Sequence, residues 1–359
     1  MCIRDSYETV GNPSLKWERT KQFDIGFDLS LWDRVHLNVD YYSRMTNDLL
    51  YDVPIPSTSG FATILSNIGK VSNKGFEVAL SGRVLDLKDF KIDATVNITK
   101  NKNKIEELYN GVKSITVLSG LGISKYLRTG ESLLSLYGLK SEGIIKTEAQ
   151  LAEYQKIVPT ASLGDEMYAD TDGDKAITAK DVVNIGDTEP DFFYGIGLNL
   201  EYKKLRLDIL GQGAHDYAAM GYNHSDVSGL HGYGSSSNYL LAAENQTSNR
   251  QYIPSKYAYE RMWSSTNPNG NFPRAGASNI YLSDRTNSGW YYFVIKSIAL
   301  SYDFGADPIK GIKGIKGLNA YINAQNFITF SNQRGYNPEN GDMSNPWIKT
   351  ISIGINIKF

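Results

Sequence analysis

The end of the chain alternates without exception. From Ile351 to Phe359 every odd position is Ile or Phe, and every even position is Ser, Gly, Asn or Lys. Successive side chains of a strand point to opposite faces, so this segment has one apolar, uncharged face and one polar face. Taken with Trp347 to Thr350, it has the ~9–11 residues that a tilted strand needs to cross a hydrocarbon layer. A soluble sandwich uses such strands too, so the test is whether the pattern repeats upstream.

It does repeat. Phe23, Ile25, Phe27, Leu29 and Leu31 alternate with Gln22, Asp24, Gly26, Asp28 and Ser30. After a tight turn at Trp32–Arg34, Val35, Leu37, Val39 and Tyr41 oppose His36, Asn38, Asp40 and Tyr42. Phe76, Val78 and Leu80 continue the pattern, and Phe90, Ile92, Ala94, Val96 and Ile98 follow a turn at Asp86–Asp89. Tyr194 to Tyr202 and Leu205 to Ile209 read as a hairpin turning at Lys203–Lys204. Tyr291 to Phe304 is a strand in which Lys296 fits a lipid-facing position poorly, so a bulge or change of face is expected there. Leu318 to Phe330 and the terminal segment bring the spanning strands to about nine.

Asn47–Lys70 reads as a loop, Asn101–Pro190 as long and irregular, and Ala214–Gly289 as a second long polar loop. Within the first long region, Thr147 with Gln150 marks a capped helix start. Leu133 to Lys146 lacks sustained alternation and is assigned to a loop. Ile309–Gly317, an Ile-Lys-Gly triple repeat, reads as a solvated turn. Turns of about two to thirteen residues alternate strictly with loops of about sixteen to ninety, the asymmetry of outer-membrane barrels. The fold class expected is all-β: an antiparallel transmembrane β-barrel, present as an open C-terminal part with long extracellular loops.

A net charge of -2 provides no basic surface for nucleic acid. No run approaches the ~20 apolar residues of a transmembrane helix. The one cysteine, Cys2, excludes a disulfide framework. Residues 1–6 match nothing that follows and are set aside as a non-native leader, leaving 7–359 as barrel.

No catalytic motif is present. Asp170, Asp172, Asp174, Ala176, Thr178 and Asp181 have the spacing of a calcium loop, where clustered hard oxygens serve Ca²⁺ and a backbone carbonyl fills the seventh position. Ile177 would pin that loop to apolar neighbours. Lys175 stands where such loops usually have Gly, and Asp181 is shorter than the usual Glu. A solvated acidic turn is the plainer alternative. His215, His224 and His231 with Asp216 or Asp226 fit no standard metal spacing and read as polar loop residues. Tyr233, Tyr239, Tyr257, Tyr259 and Trp263 are weak candidates for stacking on a substrate, and Trp290 and Tyr291, at a strand start, suit an interfacial girdle or loop packing better.

Several segments together resemble the SusC/RagA family of TonB-dependent outer-membrane transporters of Bacteroidota. They are Asn12–Thr20, Tyr41-Tyr42 through Asp48-Leu49-Leu50, Asn67-Ile68-Gly69, Asn73-Lys74-Gly75-Phe76-Glu77, Asn323-Ala324-Gln325-Asn326-Phe327 and Gly335-Tyr336-Asn337-Pro338-Glu339. The ending Ile353, Ile355, Ile357, Phe359 is similar to the assembly signal of outer-membrane barrels. The resemblance implies a plug domain and first strands that are missing here, from a barrel of about 22 strands. It also implies TonB, acting through that missing part, a SusD-like surface lipoprotein, outer-membrane lipid, and import of glycans or peptides. The alternative is a secreted or surface calcium-binding β-protein acting as a glycan-binding adhesin.

Overall fold

The period-two pattern is realised as one antiparallel sheet of nine strands. The computed structural model describes residues 10–118, 125–218, 256–275, 277, 281–305, 315–332, 337–339 and 347–359. The strands are β1 (Arg19–Leu31), β2 (Val35–Asn47), β3 (Gly69–Asp86), β4 (Phe90–Leu108), β5 (Phe192–Tyr202), β6 (Leu205–Tyr217), β7 (Trp290–Gly305), β8 (Gly317–Ser331) and β9 (Thr350–Lys358). Each pairs with the next in chain order, so β1 and β9 are the edges and the sheet is open.

Register carries the apolar parity from strand to strand. Phe27 pairs with Val39, Val39 with Val78, Val78 with Ile98, and Ile98 with Tyr194. One face is therefore a continuous apolar band, and it is uncovered: Ile353 is 79 % and Phe359 76 % exposed. A water-soluble sheet would bury that face, whereas lipid covers it in a membrane. The other face carries ion pairs such as Arg83–Asp93 and Arg206–Asp208, both 2.9 Å.

The short connections lie at one end. In the three-residue turn Trp32–Arg34, Trp32 and Asp33 both take left-handed backbone, φ 54° and 51°, and Arg34 N–H donates to Leu31 O at 3.0 Å. The β5–β6 turn uses Lys203 at φ 53°. The expected bulge is present, and Lys296 is its extra residue. Ile295 pairs with Gly211 and Ile328, while Ser297 pairs with Leu210 and Gln325. The slip lets the lysine leave the lipid side without reversing the parity of Ile298 and Leu300.

The long connections are more ordered than their composition suggests. Asn47–Lys70 holds a hairpin, Leu50–Pro54 against Thr63–Asn67, and β3 begins at Gly69. β4 runs on to Leu108, well past the alternating stretch. The extension forms because Val71 and Ile105 pair across strands and are buried under Ile68, Leu108 and Leu127. Beyond it, Ser114–Leu118 pairs with Lys125–Arg128, Ser135–Gly138 with Val183–Asp187, and Ser141–Ile144 with Glu166–Tyr168. Leu133 to Lys146 is thus outside the large sheet, as expected. Helix α1 (Glu148–Tyr154) has the expected capping box of Thr147 and Gln150. The buried clusters lie mainly in these loops and at the adjoining strand ends, because the sheet's own apolar face points outward. Residues 306–314, most of the triple repeat, lie outside the described residues.

Candidate functional site

Two long loops, one between β4 and β5 and one between β6 and β7, pack on each other at the long-loop end. Consecutive acids of the first loop each take an arginine of the second. Asp165 meets Arg274 at 2.7 Å. Glu166, itself buried, holds Arg285 through two hydrogen bonds, Nε to Oε1 at 2.7 Å and Nη2 to Oε2 at 2.6 Å. Burial alone disfavours the Arg285 cation, but the Glu166 carboxylate outweighs it and the pKa is raised. Backbone bonds complete the lock: Leu139 N–H donates to Leu282 O at 2.8 Å, and Tyr281 N–H to the Tyr168 hydroxyl at 2.9 Å. Burial raises the Tyr168 hydroxyl pKa well above its ordinary value and pushes that of Tyr154 up to about 12, so both stay neutral donors and acceptors.

The acidic segment sits on this assembly. One oxygen from each of Asp170, Asp172 and Asp174 lies within 4.8 Å of the others. Asp170 accepts from Gly173 N–H at 2.7 Å and from Lys175 N–H at 2.9 Å, which curls the chain around it. Lys175 has φ 64°, the left-handed conformation for which calcium loops keep Gly at that position. Ile177 packs against Tyr126, Tyr137, Leu139, Tyr168 and Val182, as the sequence suggests. Asp181 is different. It is fully buried, and its carboxylate accepts from Thr171 N–H at 2.7 Å and Thr178 N–H at 2.8 Å, apart from the converging three. Thr178 caps the following 3-10 turn. Lys180 reaches Asp174 at 3.4 Å and Asp172 at 3.9 Å. The donor set therefore fits a cation in part: three carboxylates converge, and the twelfth-position carboxylate is committed to backbone.

The aromatic candidates separate. Tyr233 and Tyr239 lie outside the described residues, as do His224, His231 and Asp226. Tyr257 and Tyr259 belong to the short helix α2 (Lys256–Arg261), with Tyr259 71 % exposed. Trp263 packs on Gly164, leaving no room for a side chain there. Trp290 is buried with Ala214, Tyr217, Tyr292 and Val294, so it packs and does not present a stacking face. Tyr291 is on the lipid side, ring-stacked with His215, which also stacks on Phe192.

The polar face opposite carries a second feature. Gln22, Asp24, Asp40, Arg44, Glu77 and Asn101 help line a polar cavity of about 550 Å³ on β1 to β4. At the other side of the sheet, the bulged Lys296 meets Glu339 at 2.8 Å and stands 4.1 Å from the centre of the Trp347 ring. Gln212 donates to the same glutamate, and Tyr217 donates its hydroxyl to Pro338 O at 2.9 Å. Pro338, Glu339 and Trp347 of the β8–β9 connection thus lie against the inner face of β6 and β7. Neither the Lys296–Glu339 pair nor the Glu166–Arg285 pair is foreshadowed by a local motif.

Residues 3–130 match the family model described as TonB dependent receptor-like, beta-barrel. The chain is 28% identical to TonB-dependent receptor P3 of Formosa agariphila over 97% of its own length and 35% of that protein's. It is 25% identical to TonB-dependent receptor SusC of Bacteroides thetaiotaomicron, covering 99% of the chain and 34% of SusC. The chain thus spans about a third of the curated relatives it matches. A solved structure of the RagAB peptide transporter superimposes with TM-score 0.75 at 23% identity, covering 99% of this chain and 36% of that one, a likeness of fold. None of these relatives is described as an enzyme. With an open meander, an apolar outer face and the long connections at one end, the chain is similar over nearly its whole length to TonB-dependent receptors, SusC among them, and its nine strands are those of an outer-membrane β-barrel.

Proposed function

We propose that this chain is the barrel wall and loop assembly of a TonB-energised importer that takes up an oligosaccharide or peptide with a SusD-like surface lipoprotein. The observation that carries the reading is the separation of faces: an apolar band outside, a charged and polar wall inside, and packed loops at one end. A polar wall suits a cargo rich in hydroxyls or amides, and the loops suit a docking lipoprotein. The kinship with SusC and with the RagAB peptide transporter supports both cargo classes. TonB would act through parts of the receptor beyond this chain. Deleting the gene is expected to abolish growth on one oligomeric nutrient while its monomer remains usable. Cleavage of that oligomer by the purified intact receptor would sink the importer reading. Fractionation with the secreted proteins, without heat-modifiable migration, would favour the adhesin alternative.

A structural calcium ion at Asp170, Asp172 and Asp174 is the second part of the proposal. Three carboxylates within 4.8 Å repel one another without a cation, and Lys180 only partly offsets this. Asp181 would then hold the loop backbone, and would not be a ligand. Affinity is expected to be weak, ~10⁻⁴–10⁻³ M, as in extracellular modules. Protease cleavage between residues 147 and 190 of the intact receptor should rise when calcium is chelated; equal cleavage with and without calcium would reduce the segment to an acidic turn.

A further inference from the structure

Strand parity places a row of lysines on the outer, lipid-facing side of β3 and β4. Phe76 and Val78 on β3 and Ile98 on β4 are outward, so Lys74 and Lys100, Lys102 and Lys104 share their face. Lys74 pairs directly with Lys102 across the two strands, and both are exposed. Next to them, Ser72 pairs with Lys104, and Phe76 with Lys100. Lys21 of β1 extends the row through Met45 of β2, which pairs with Ser72.

Two of these lysines have counter-ions. Lys100 meets Asp191 at 3.1 Å and Lys104 meets Glu106 at 2.8 Å. Glu106 also accepts from Ser72 at 2.7 Å. Lys74 lies in the field of Glu106 and Lys102 in that of Asp187, but among the described residues neither lysine, nor Lys21, closes to an ion pair. Like charges directly opposite on adjacent strands weaken a sheet. An anion held between the two ammonium groups offsets that repulsion.

The height of the row says which anion. Level with Lys100 on the same face are Phe76 and Tyr41 and, across β5 to β7, the ring stack of Phe192, His215 and Tyr291, so Lys102 and Lys104 stand beyond this belt toward the long loops. Aromatic rings of this kind mark the boundary between acyl chains and headgroups. From Ile98 to Lys102 the strand advances ~13 Å along its axis, ~10 Å of it along the membrane normal at a barrel strand's tilt, which carries the lysines from hydrocarbon into the headgroup layer. The long loops are at the same end, so this is the outer leaflet. A molecule bound there meets ammonium groups above and apolar side chains below.

We propose that Lys74 and Lys102, flanked by Lys21, Lys100 and Lys104, bind the phosphate of an outer-leaflet lipid whose acyl chains lie along Phe76, Val78 and Ile98. A free phosphate ion would use the lysines alone. The inference rests on the outer-membrane setting and is independent of the cargo.

The test is native mass spectrometry of the intact receptor in neutral detergent, titrated with phosphorylated lipid A and with its dephosphorylated form. The wild type should retain the phosphorylated lipid in preference, and the K74Q/K102Q double variant should bind it roughly tenfold more weakly. The K74R/K102R variant keeps both charges and should bind as the wild type does. Heat-modifiable migration reports whether each variant is assembled; if the double variant is not, K102Q alone is titrated, with a several-fold loss expected. Equal retention of both lipid forms, undiminished binding by the Gln variants, or full displacement by millimolar inorganic phosphate would each overturn the proposal.

Discussion

Glu166 is the residue on which the loop assembly turns. Its carboxylate is buried and meets Arg285 on a different loop, with Ser141 donating to it at 2.6 Å as well. Removing one partner of such a pair leaves an uncompensated buried charge, which costs about 3–5 kcal/mol. Glu166→Ala in the intact receptor is therefore expected to open the β4–β5 loop to protease. Glu153→Ala is the control: its pair with Lys156 is 75 % and 66 % exposed, and surface pairs contribute little. Equal protease resistance of wild type and Glu166→Ala would show that the loops are held by packing alone. At the same scale, Asp181 sits differently from the three converging acids, its carboxylate accepting from Thr171 and Thr178 N–H. The twelve-residue pattern is local, but the burial that commits this carboxylate to Thr171 and Thr178 is not.

At the scale of the element, a strand here is defined by parity and ended by what covers it. β9 offers the cleanest test, because adjacent positions face opposite environments. Ile353 pairs with Ile322 on the outer face, and Ser352 pairs with Asn323 on the inner. Ile353→Lys is expected to cost about 2–4 kcal/mol if it lies near the bilayer midplane, with less at the interface. Ser352→Lys should be tolerated. The readout is the heat-modifiable fraction of intact receptor in the outer membrane; equal losses for both substitutions would contradict the assignment of faces. Parity also explains the β7 bulge. One residue inserted relative to β6 takes Lys296 inward to Glu339 and Trp347, and the register shifts against β8 at the same place, so Ile298 and Leu300 keep the outer face.

For the whole molecule, the open sheet is the dominant fact. β1 and β9 each pair on one side only, so both present unpaired backbone groups beside an apolar band. In lipid such groups have no water to bond, and in water the band has nothing to cover it. The chain expressed by itself is expected to aggregate and to give no heat-modifiable monomer in detergent. A folded monomer by size-exclusion and gel shift would mean that the edges close in a way the meander does not provide.

The strands, their faces, their antiparallel order, the Lys296 bulge and the capped helix were all legible in the chain itself. Each depends on periods of two residues or on caps three residues apart, so the signal is local. The converging Asp170, Asp172 and Asp174 were legible for the same reason. What the tertiary structure alone decided is how the loops meet. Asp165 and Glu166 find Arg274 and Arg285 across more than a hundred residues. Nothing in the spacing of charges on two polar loops selects those partners. The same holds for the extension of β3 and β4, where Val71 and Ile105 are ordinary residues until Leu127 covers them. Parity is carried by the backbone and can be read residue by residue, whereas burial is a property of what returns from far along the chain.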